Sequence, residues 1–518
     1  MSFVSIAASS QIAAEAGATV ANQGGNAVDA AIAATLVALC TDTGIVAPGG
    51  GGFIAIWPLG NTPVVIDAYG EMPGRGLGDQ QAISRRFQTS TRRVGMGYGG
   101  GMETIVAHGS VATPGIFAGL SQAIAQYGSL PWSGVMQPAV DWAKRGSALS
   151  AAGAEYLRYS HEVIFGWHPD SYPVVHHRDG RCLTQGETIY IPELAATLQQ
   201  IADAGVATFY SGTLAERMTE EIQAHGGLLT LEDLQAYRAV VRTPIQVRYR
   251  DWDIVTNPAP AIGGACLGAM LLLLDRPALQ SWTTQTVDQW IQIQSAVLGY
   301  RHQHLDPDHD NAQAVDQLLK QASKGDLQSL STLNQSPSTI HISAVDRDGL
   351  ACSISASAGY GSGVMVSGTG LWLNNSLGEI ELHPQGLDHC SPGTRLVSNM
   401  APTIARHPSG AVLAIGSPGA SRITTAIAQV LFNHLQLGMA LPEAIAAPRL
   451  HVEVSAGTQT TAMEPGLPLS PKARTQIRQF SERSMYFGGV QAVMWEPNSG
   501  FVARADPRRT GGVAEGGQ

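Results

Sequence analysis

Positive charge is scarce in this chain: 31 lysines and arginines stand against 41 aspartates and glutamates, a net charge of −10, and nowhere do the cations cluster. Binding phosphates needs clustered Lys and Arg, so a nucleic-acid or anionic-membrane surface is excluded as the main function. Cysteines are few. The five (Cys40, Cys182, Cys266, Cys352, Cys390) are odd in number, scattered and never in a Cys-x-x-Cys pair. Neither a disulfide framework nor a zinc knuckle follows, and a reducing compartment fits. A long apolar run is also missing. The longest, Val28 to Cys40, contains Asp29 and falls short of the roughly 20 residues of a membrane span, so it predicts a buried helix and no membrane partner. Residues 1–6 carry no basic segment leading into a long apolar stretch, which favours the cytoplasm and leaves periplasmic export open.

What is present is core-forming material: 44% apolar and 14% charged residues over 518 positions make one large unit or two intimately packed halves. The alanine-rich stretch Ser9 to Asn22 predicts a helix stopped at Gly24-Gly25, followed by a second helix from Ala27 to Cys40. After the glycine run Gly49 to Gly52, Phe53 to Trp57 and Val64 to Asp67 read as neighbouring buried strands. From about Ile116 to Leu274 helical patterns dominate, among them Ala139 to Arg145, Leu194 to Ala204 and a start at Thr230 with Asp233. Residues 311–337 are polar and read as an exposed, mobile connection ending in Asn334-Gln-Ser-Pro337.

Immediately beyond it the pattern turns to strand. Thr339 to Val345 and Leu350 to Ser357 both alternate in polarity, with Asp346-Arg-Asp-Gly349 between them. A three-residue loop with Gly349 in the left-handed conformation pairs Asp346 with Leu350. Thr339 then faces Ser357, His341 faces Ser355 and Ser343 faces Ser353, while Ile340, Ile342, Cys352 and Ile354 fill the other side. A threonine so placed suits an N-terminal nucleophile: its Oγ attacks and its freed α-amine, with an ordinary pKa of about 7.7–8.0, takes the proton. A β-branched residue simply opening a strand accounts for the same local pattern, and the hairpin alone does not decide function.

Other constellations carry less. Arg301-His-Gln-His-Leu-Asp-Pro-Asp-His-Asp310 and His176-His177 offer imidazoles and carboxylates without a fixed scaffold, so no metal is expected. Gly49 to Gly52 lacks the Lys-Ser/Thr of a phosphate loop. Gly416 to Ser421 lacks the Gly-x-Ser-x-Gly pattern of a hydrolase elbow.

Over nearly its whole length the sequence resembles the γ-glutamyltranspeptidase family of N-terminal nucleophile hydrolases. The resemblance is carried, in order, by Gly24-Gly-Asn-Ala-Val-Asp-Ala-Ala31, Gly49 to Phe53, Ala112-Thr-Pro-Gly-Ile-Phe-Ala-Gly119, Leu229 to Tyr237, Pro258 to Gly264, Thr339 to Gly349, Leu373-Asn-Asn375, Gly416-Ser-Pro-Gly-Ala-Ser-Arg422, Ala447-Pro-Arg449 and Asp506-Pro-Arg508. It implies an α+β, four-layer αββα sandwich made as a precursor that cuts itself between Ser338 and Thr339. The products would be a helix-rich large subunit, 1–338, and a small subunit, 339–518, tightly associated and open to further oligomerisation. Thr339 matches the nucleophile, Ser357 the residue that hydrogen-bonds it, and Gly419 with Ala420 the pair whose N–H groups hold the oxyanion; alanine there requires ordinary backbone angles.

In the substrate pocket the match implies Glu379 for the substrate α-amine and Ser398 with Asn399 for its carboxylate. Gly70 falls where the family places an arginine that grips that carboxylate, and the short segment from Glu379 to Ser398 implies no active-site lid. No cofactor is implied. The function implied is acyl transfer or hydrolysis of γ-glutamyl amides such as glutathione, with water or an amine as acceptor. The missing charge at Gly70 leaves two alternatives: an amidase for another acyl group, and an unprocessed homologue without catalysis.

Overall fold

Ser10 caps the first helix, α1 (Gln11–Asn22), by accepting from the Ala13 N–H, and Gly24 at φ +98° ends it. Asn26 and Asp29 then form a capping box for α2 (Ala27–Thr41), every residue of which is buried. A helix apolar all round belongs in a core. Asp29, the acidic interruption in that run, is satisfied there: its carboxylate accepts the N–H groups of Asn26 at 2.9 Å and Ser129 at 2.8 Å. The computed structural model from which these contacts are read describes residues 3–97, 101–276, 279–305, 311–325, 339–455, 458–469 and 476–517.

Thirteen strands build two central sheets: β1 (Val4–Ala8), β2 (Gly51–Trp57), β3 (Val64–Ala68), β4 (Val240–Arg242), β5 (Ile245–Tyr249), β6 (Trp252–Thr256), β7 (Ile340–Asp346), β8 (Ala351–Ser357), β9 (Thr403–Arg406), β10 (Val412–Gly416), β11 (Gln491–Glu496), β12 (Gly500–Ala505) and β13 (Gly512–Gly516). The first sheet runs β13-β1-β7-β8-β2-β3-β4 and the second β12-β11-β10-β9-β6-β5. Neighbours in both pair antiparallel. The sheets face each other, with β7 against β10 and β11; α2 and the helix Ile116–Tyr127 cover the first sheet, and the helices Gly263–Leu274 and Arg422–Leu431 cover the second. The result is the four-layer αββα sandwich. Both sheets draw strands from either side of residue 339.

Two faces of β7 and β8 divide the labour. Ile340, Ile342, Cys352 and Ile354 enter the core beneath α2. His341, Ser343, Ser353 and Ser355 point between the sheets, all fully buried. Buried hydroxyls need partners, and they have them: Ser343 donates to Gln491 O and Ser353 to Ile415 O, each at 3.2 Å, while the His341 ring meets Ser355 Oγ at 2.8 Å and Ser343 Oγ at 3.0 Å. Gly416 permits the close fit, because a Cβ built there would stand 2.2 Å from the His341 ring.

One expectation fails. Residues 312–323 are not a mobile connection but a helix, Ala312–Ser323, whose Val315, Leu318 and Ala322 are buried against the helix Gly263–Leu274. Their helical spacing is easily lost among polar neighbours. Asn334 to Pro337, and Ser338 with them, lie outside the described residues. Arg301–Leu305 continues the preceding helix with Arg301 and Leu305 buried, and residues 306–310 also lie outside the described residues. His176 stacks on Tyr172 at 4.1 Å and meets the His161 ring nitrogen at 2.9 Å. Among the described residues no helix is long and apolar enough to cross a membrane.

Burial pushes His341 from 6.5 down to about 3. The unfolded chain therefore binds a proton that the native chain refuses, and stability present above 6.5 is lost as pH falls toward 3, by up to about 1.4 kcal/mol per pH unit. His341→Gln is expected to flatten the fall of the urea midpoint below pH 6.5. Equal slopes in variant and wild type would contradict the assignment.

Candidate active site

The register of the hairpin comes from its turn. Gly349, at φ +80°, donates to Asp346 O, and Asp346 donates to Leu350 O, both at 3.0 Å. The Asp346 carboxylate then accepts Leu350 N–H at 2.9 Å and, at 3.3 Å, the Ala27 N–H that opens α2. Pairing proceeds from there through Ser343↔Ser353 and His341↔Ser355 to Ile340↔Ala356. Thr339, one residue earlier, therefore comes opposite Ser357. Both are buried, each 4% exposed. Gly50 crosses so close to this strand end that a Cβ would lie 2.5 Å from Ser357 O.

Ser357 Oγ accepts the Gly359 N–H at 3.0 Å. The loop beyond is anchored by tandem asparagines. Asn375 accepts from Tyr360 N–H at 2.6 Å and donates to Thr104 Oγ1 at 3.0 Å and Ile105 O at 2.9 Å. Asn374 donates to Gly49 O at 2.8 Å and to Ala112 O at 3.0 Å. This anchorage holds Glu379 close: its Oε1 would lie 3.0 Å from a Cβ on Gly359. The Tyr69 hydroxyl donates to the same oxygen at 3.1 Å. Burial, and then the neighbouring Glu381, hold the Glu379 carboxyl well above the usual range, which favours its neutral form. Tyr69 was not singled out from the sequence; its position directly before Gly70 was the available signal.

Gly70 accepts the Leu396 N–H at 3.0 Å, and a Cβ on it would stand 3.2 Å from that of Ala112. The arginine packed behind it, Arg395, is committed elsewhere. It donates to Tyr69 O at 2.6 Å, Arg238 O at 2.8 Å and the Tyr237 hydroxyl, and pairs with Glu71 at 3.3 Å. From Leu396 the chain runs on to Ser398, whose carbonyl accepts Ile262 N–H at 2.9 Å and Gly263 N–H at 3.2 Å. Ser398 and Asn399 are both buried. Tyr69, Gly70, Glu379 and the 396–399 segment thus share one wall.

The opposite wall begins where β10 ends. Gly416 lies on the His341 ring, so the loop that follows emerges at the end of the sandwich at which Thr339 enters. Gly419 has φ +120° and Ala420 φ +65°. The alanine does not have ordinary backbone angles, contrary to expectation; it sits in the left-handed region, which costs an L-residue roughly 1–2 kcal/mol. Gly419 is required on two grounds, since a Cβ would also meet Gly488 Cα at 2.8 Å. Among the described residues neither N–H is taken by a hydrogen-bond acceptor, while both carbonyls accept at 3.0 Å from the start of the helix Arg422–Leu431. Two successive open N–H groups at a helix start form an anion-binding concavity.

A cavity of about 460 Å³ is lined among others by Tyr159, Arg478, Phe480, Met485 and Tyr486, and by none of the residues of the two walls. Tyr156, on the same helix as Tyr159, donates to Tyr360 O at 2.8 Å, and Tyr486 directly precedes the Phe487-Gly488 turn that backs Gly419.

The chain matches the γ-glutamyltranspeptidase family model over residues 13–516. It is 29% identical over 540 residues to a glutathione hydrolase proenzyme of Escherichia coli K12, covering 97% of this chain and 90% of that one. It is 28% identical over 523 residues to an acylase ACY 1 proenzyme of Pseudomonas sp. V22, covering 96% and 91%. In fold it is similar to cephalosporin acylase from Bacillus halodurans, with a TM-score of 0.83, 24% identity and coverage of 99% of this chain and 96% of that chain. On the strength of the whole span, and not of any single motif, the chain belongs to the γ-glutamyltranspeptidase family, enzymes built on the N-terminal nucleophile hydrolase sandwich.

Proposed function

We propose that the chain cuts its own Ser338–Thr339 bond, and that the pieces 1–338 and 339–518 together hydrolyse or transfer the acyl group of small-molecule amides with Thr339 as nucleophile. The observation that carries this reading is the convergence, at one end of the sandwich, of the head of β7 opposite Ser357 with the two open N–H groups of Gly419 and Ala420. Thr339 Oγ attacks the amide carbonyl carbon and its proton passes to the freed α-amine. The oxyanion is held by the two main-chain N–H groups. Collapse breaks the C–N bond, the leaving amine takes the proton, and an acyl ester remains on Thr339 until water or another amine attacks it by the same route. Ser357 positions the nucleophile's oxygen.

The acyl pocket supports a substrate without the paired charges of a free glutamyl group. Gly70 offers no guanidinium, Arg395 is spent on its own neighbours, and Glu379 is held toward its neutral form, donating or accepting a hydrogen bond where a charged partner would otherwise be met. Uncharged or singly charged acyl amides fit this wall better than a zwitterion. γ-Glutamyl amides such as glutathione are the second reading, favoured by the carboxyl of Glu379, which an incoming ammonium would ionise.

Mass spectrometry of purified wild type is expected to give two fragments, the smaller beginning at Thr339, and Thr339→Ala one full-length chain without amidase activity; two fragments from the variant would defeat the scheme. A single intact wild-type chain would instead identify an unprocessed homologue. Against a panel of acyl amides, glutathione is expected to turn over more slowly than the best uncharged acyl donor, and the reverse order would restore γ-glutamyl specificity. Ala420→Gly is expected to keep activity and to gain up to about 1 kcal/mol in stability, relief of the left-handed strain being offset in part by a freer unfolded chain. A loss of more than that in a denaturant titration would contradict the strain.

A further inference from the structure

Outside that site, three histidines and one carboxylate converge from distant parts of the chain. His108 opens the short turn His108–Ser110, His168 follows Trp167, and Glu221 and His225 lie one turn apart at the end of the helix Thr213–Ala224. Glu221 Oε1 is the common point: His108 Nε2 stands 3.0 Å from it, His168 Nε2 3.5 Å and His225 Nδ1 3.4 Å. Among the described residues His108, His168 and Glu221 bring one ligand atom each within 4.8 Å of one another. The two imidazoles are 5% and 4% exposed, and the His225 ring covers His108 at a centroid distance of 4.1 Å. His225 Nδ1 also donates to Glu221 O at 2.9 Å, which commits that nitrogen to the helix.

We infer that His108, His168 and Glu221 bind one divalent transition-metal ion of the zinc class through two imidazole Nε2 atoms and one carboxylate oxygen, with water in the fourth position. Ligand atoms about 2.0–2.1 Å from zinc stand roughly 3.3 Å apart at a tetrahedral angle; the two nitrogen-to-oxygen separations here, 3.0 and 3.5 Å, straddle that value. Two imidazoles and one carboxylate suit zinc and its neighbours in the first transition row, not calcium or magnesium. Without metal His108 Nε2–H donates to the Glu221 oxygen at 3.0 Å, and His168 Nε2 stands 3.5 Å from the same oxygen. In that state the Asp170 N–H points at His168 Nδ1 at 3.3 Å, so the ring proton sits on Nε2. Loading shifts the proton of each ring from Nε2 to Nδ1, with no net loss, and turns the Asp170 N–H aside.

The role assigned is a brace. Ala107, beside His108, donates to Ser362 O at 2.9 Å, Thr104 donates to Gly378 O at 2.9 Å, and Ile105 O accepts from Asn375 at 2.9 Å. An ion joining His108 to the segments of His168 and Glu221 therefore stiffens the support of the Glu379 turn without touching the reacting atoms.

The test uses untagged full-length protein stripped with EDTA and titrated with zinc alone. One tight equivalent per chain is expected, with a zinc-dependent rise in melting temperature. Glu221→Gln and His168→Ala should each weaken zinc at least about tenfold, a loss that even outer partners of a metal site produce. Thr339→Ala should bind as wild type does, so the metal site and the proposed nucleophile fail or stand separately. Cobalt(II) added to wild type gives a readout that needs no variant to fold: strong visible bands of a four- or five-coordinate ion are expected. No stoichiometric zinc, unchanged binding in both variants, or the weak spectrum of six-coordinate cobalt would each overturn the site.

Discussion

The register between β7 and β8 is the constraint on which everything else depends. It originates in four residues at the far end of the hairpin, where Asp346 caps the turn and Gly349 takes an angle few other residues accept. From there pairing runs to Ile340↔Ala356 and delivers Thr339 to Ser357. Strand side chains alternate with period two, so a slip by one residue would send Thr339 to the opposite face and bury the hydroxyl row beneath α2. Asp346 also accepts the Ala27 N–H, so the turn that sets the register is tied to the helix that covers its apolar face.

A polar layer between two sheets is expensive to desolvate, and here its histidine and serines are made rigid by being matched to one another and to main-chain groups. His341 bridges Ser355 and Ser343, and Ser353 both donates to Ile415 O and accepts Thr403 N–H at 3.1 Å. Apolar residues of the same size would pack as well, but they would not fix the spacing of β10 from β7. That spacing matters because β10 ends at Gly416 on the His341 ring and leads directly to Gly419. The interlayer thus aligns main-chain donors on one sheet with a side chain on the other.

Much of this was legible in the sequence because it rests on local rules. The turn chemistry of Asp346 to Gly349, the cap at Thr230 with Asp233, the buried helix after Gly24-Gly25 and the order of motifs all survive in the structure with little change. What was not legible depends on contacts between distant segments. Tyr69 is a plain aromatic until Glu379 is folded against it. Ala420 is an ordinary residue until its place before the helix at Arg422, where its carbonyl accepts Ile423 N–H, sets it in the left-handed region. The helix at Ala312–Ser323 was hidden by polar composition, although Val315, Leu318 and Ala322 carry its spacing. His108, His168 and Glu221 share no spacing at all and become a group only in three dimensions.

Chemistry and selectivity therefore reside in different materials. The placement of Thr339 and of the Gly419 and Ala420 N–H groups comes from register, sheet spacing and backbone angles, which tolerate exchange of side chains; the Cβ at Ala420 leaves its N–H without an acceptor among the described residues. The acyl wall is built from side chains whose charges are balanced or suppressed one by one: Glu71 against Arg395 and Arg75, Glu379 by burial and the Tyr69 hydroxyl. A charge introduced at Gly70 would leave the first set untouched and shift the balance of the second. A fold organised in this way lets the charge balance of one wall change while the main-chain geometry at Thr339, Gly419 and Ala420 stays the same.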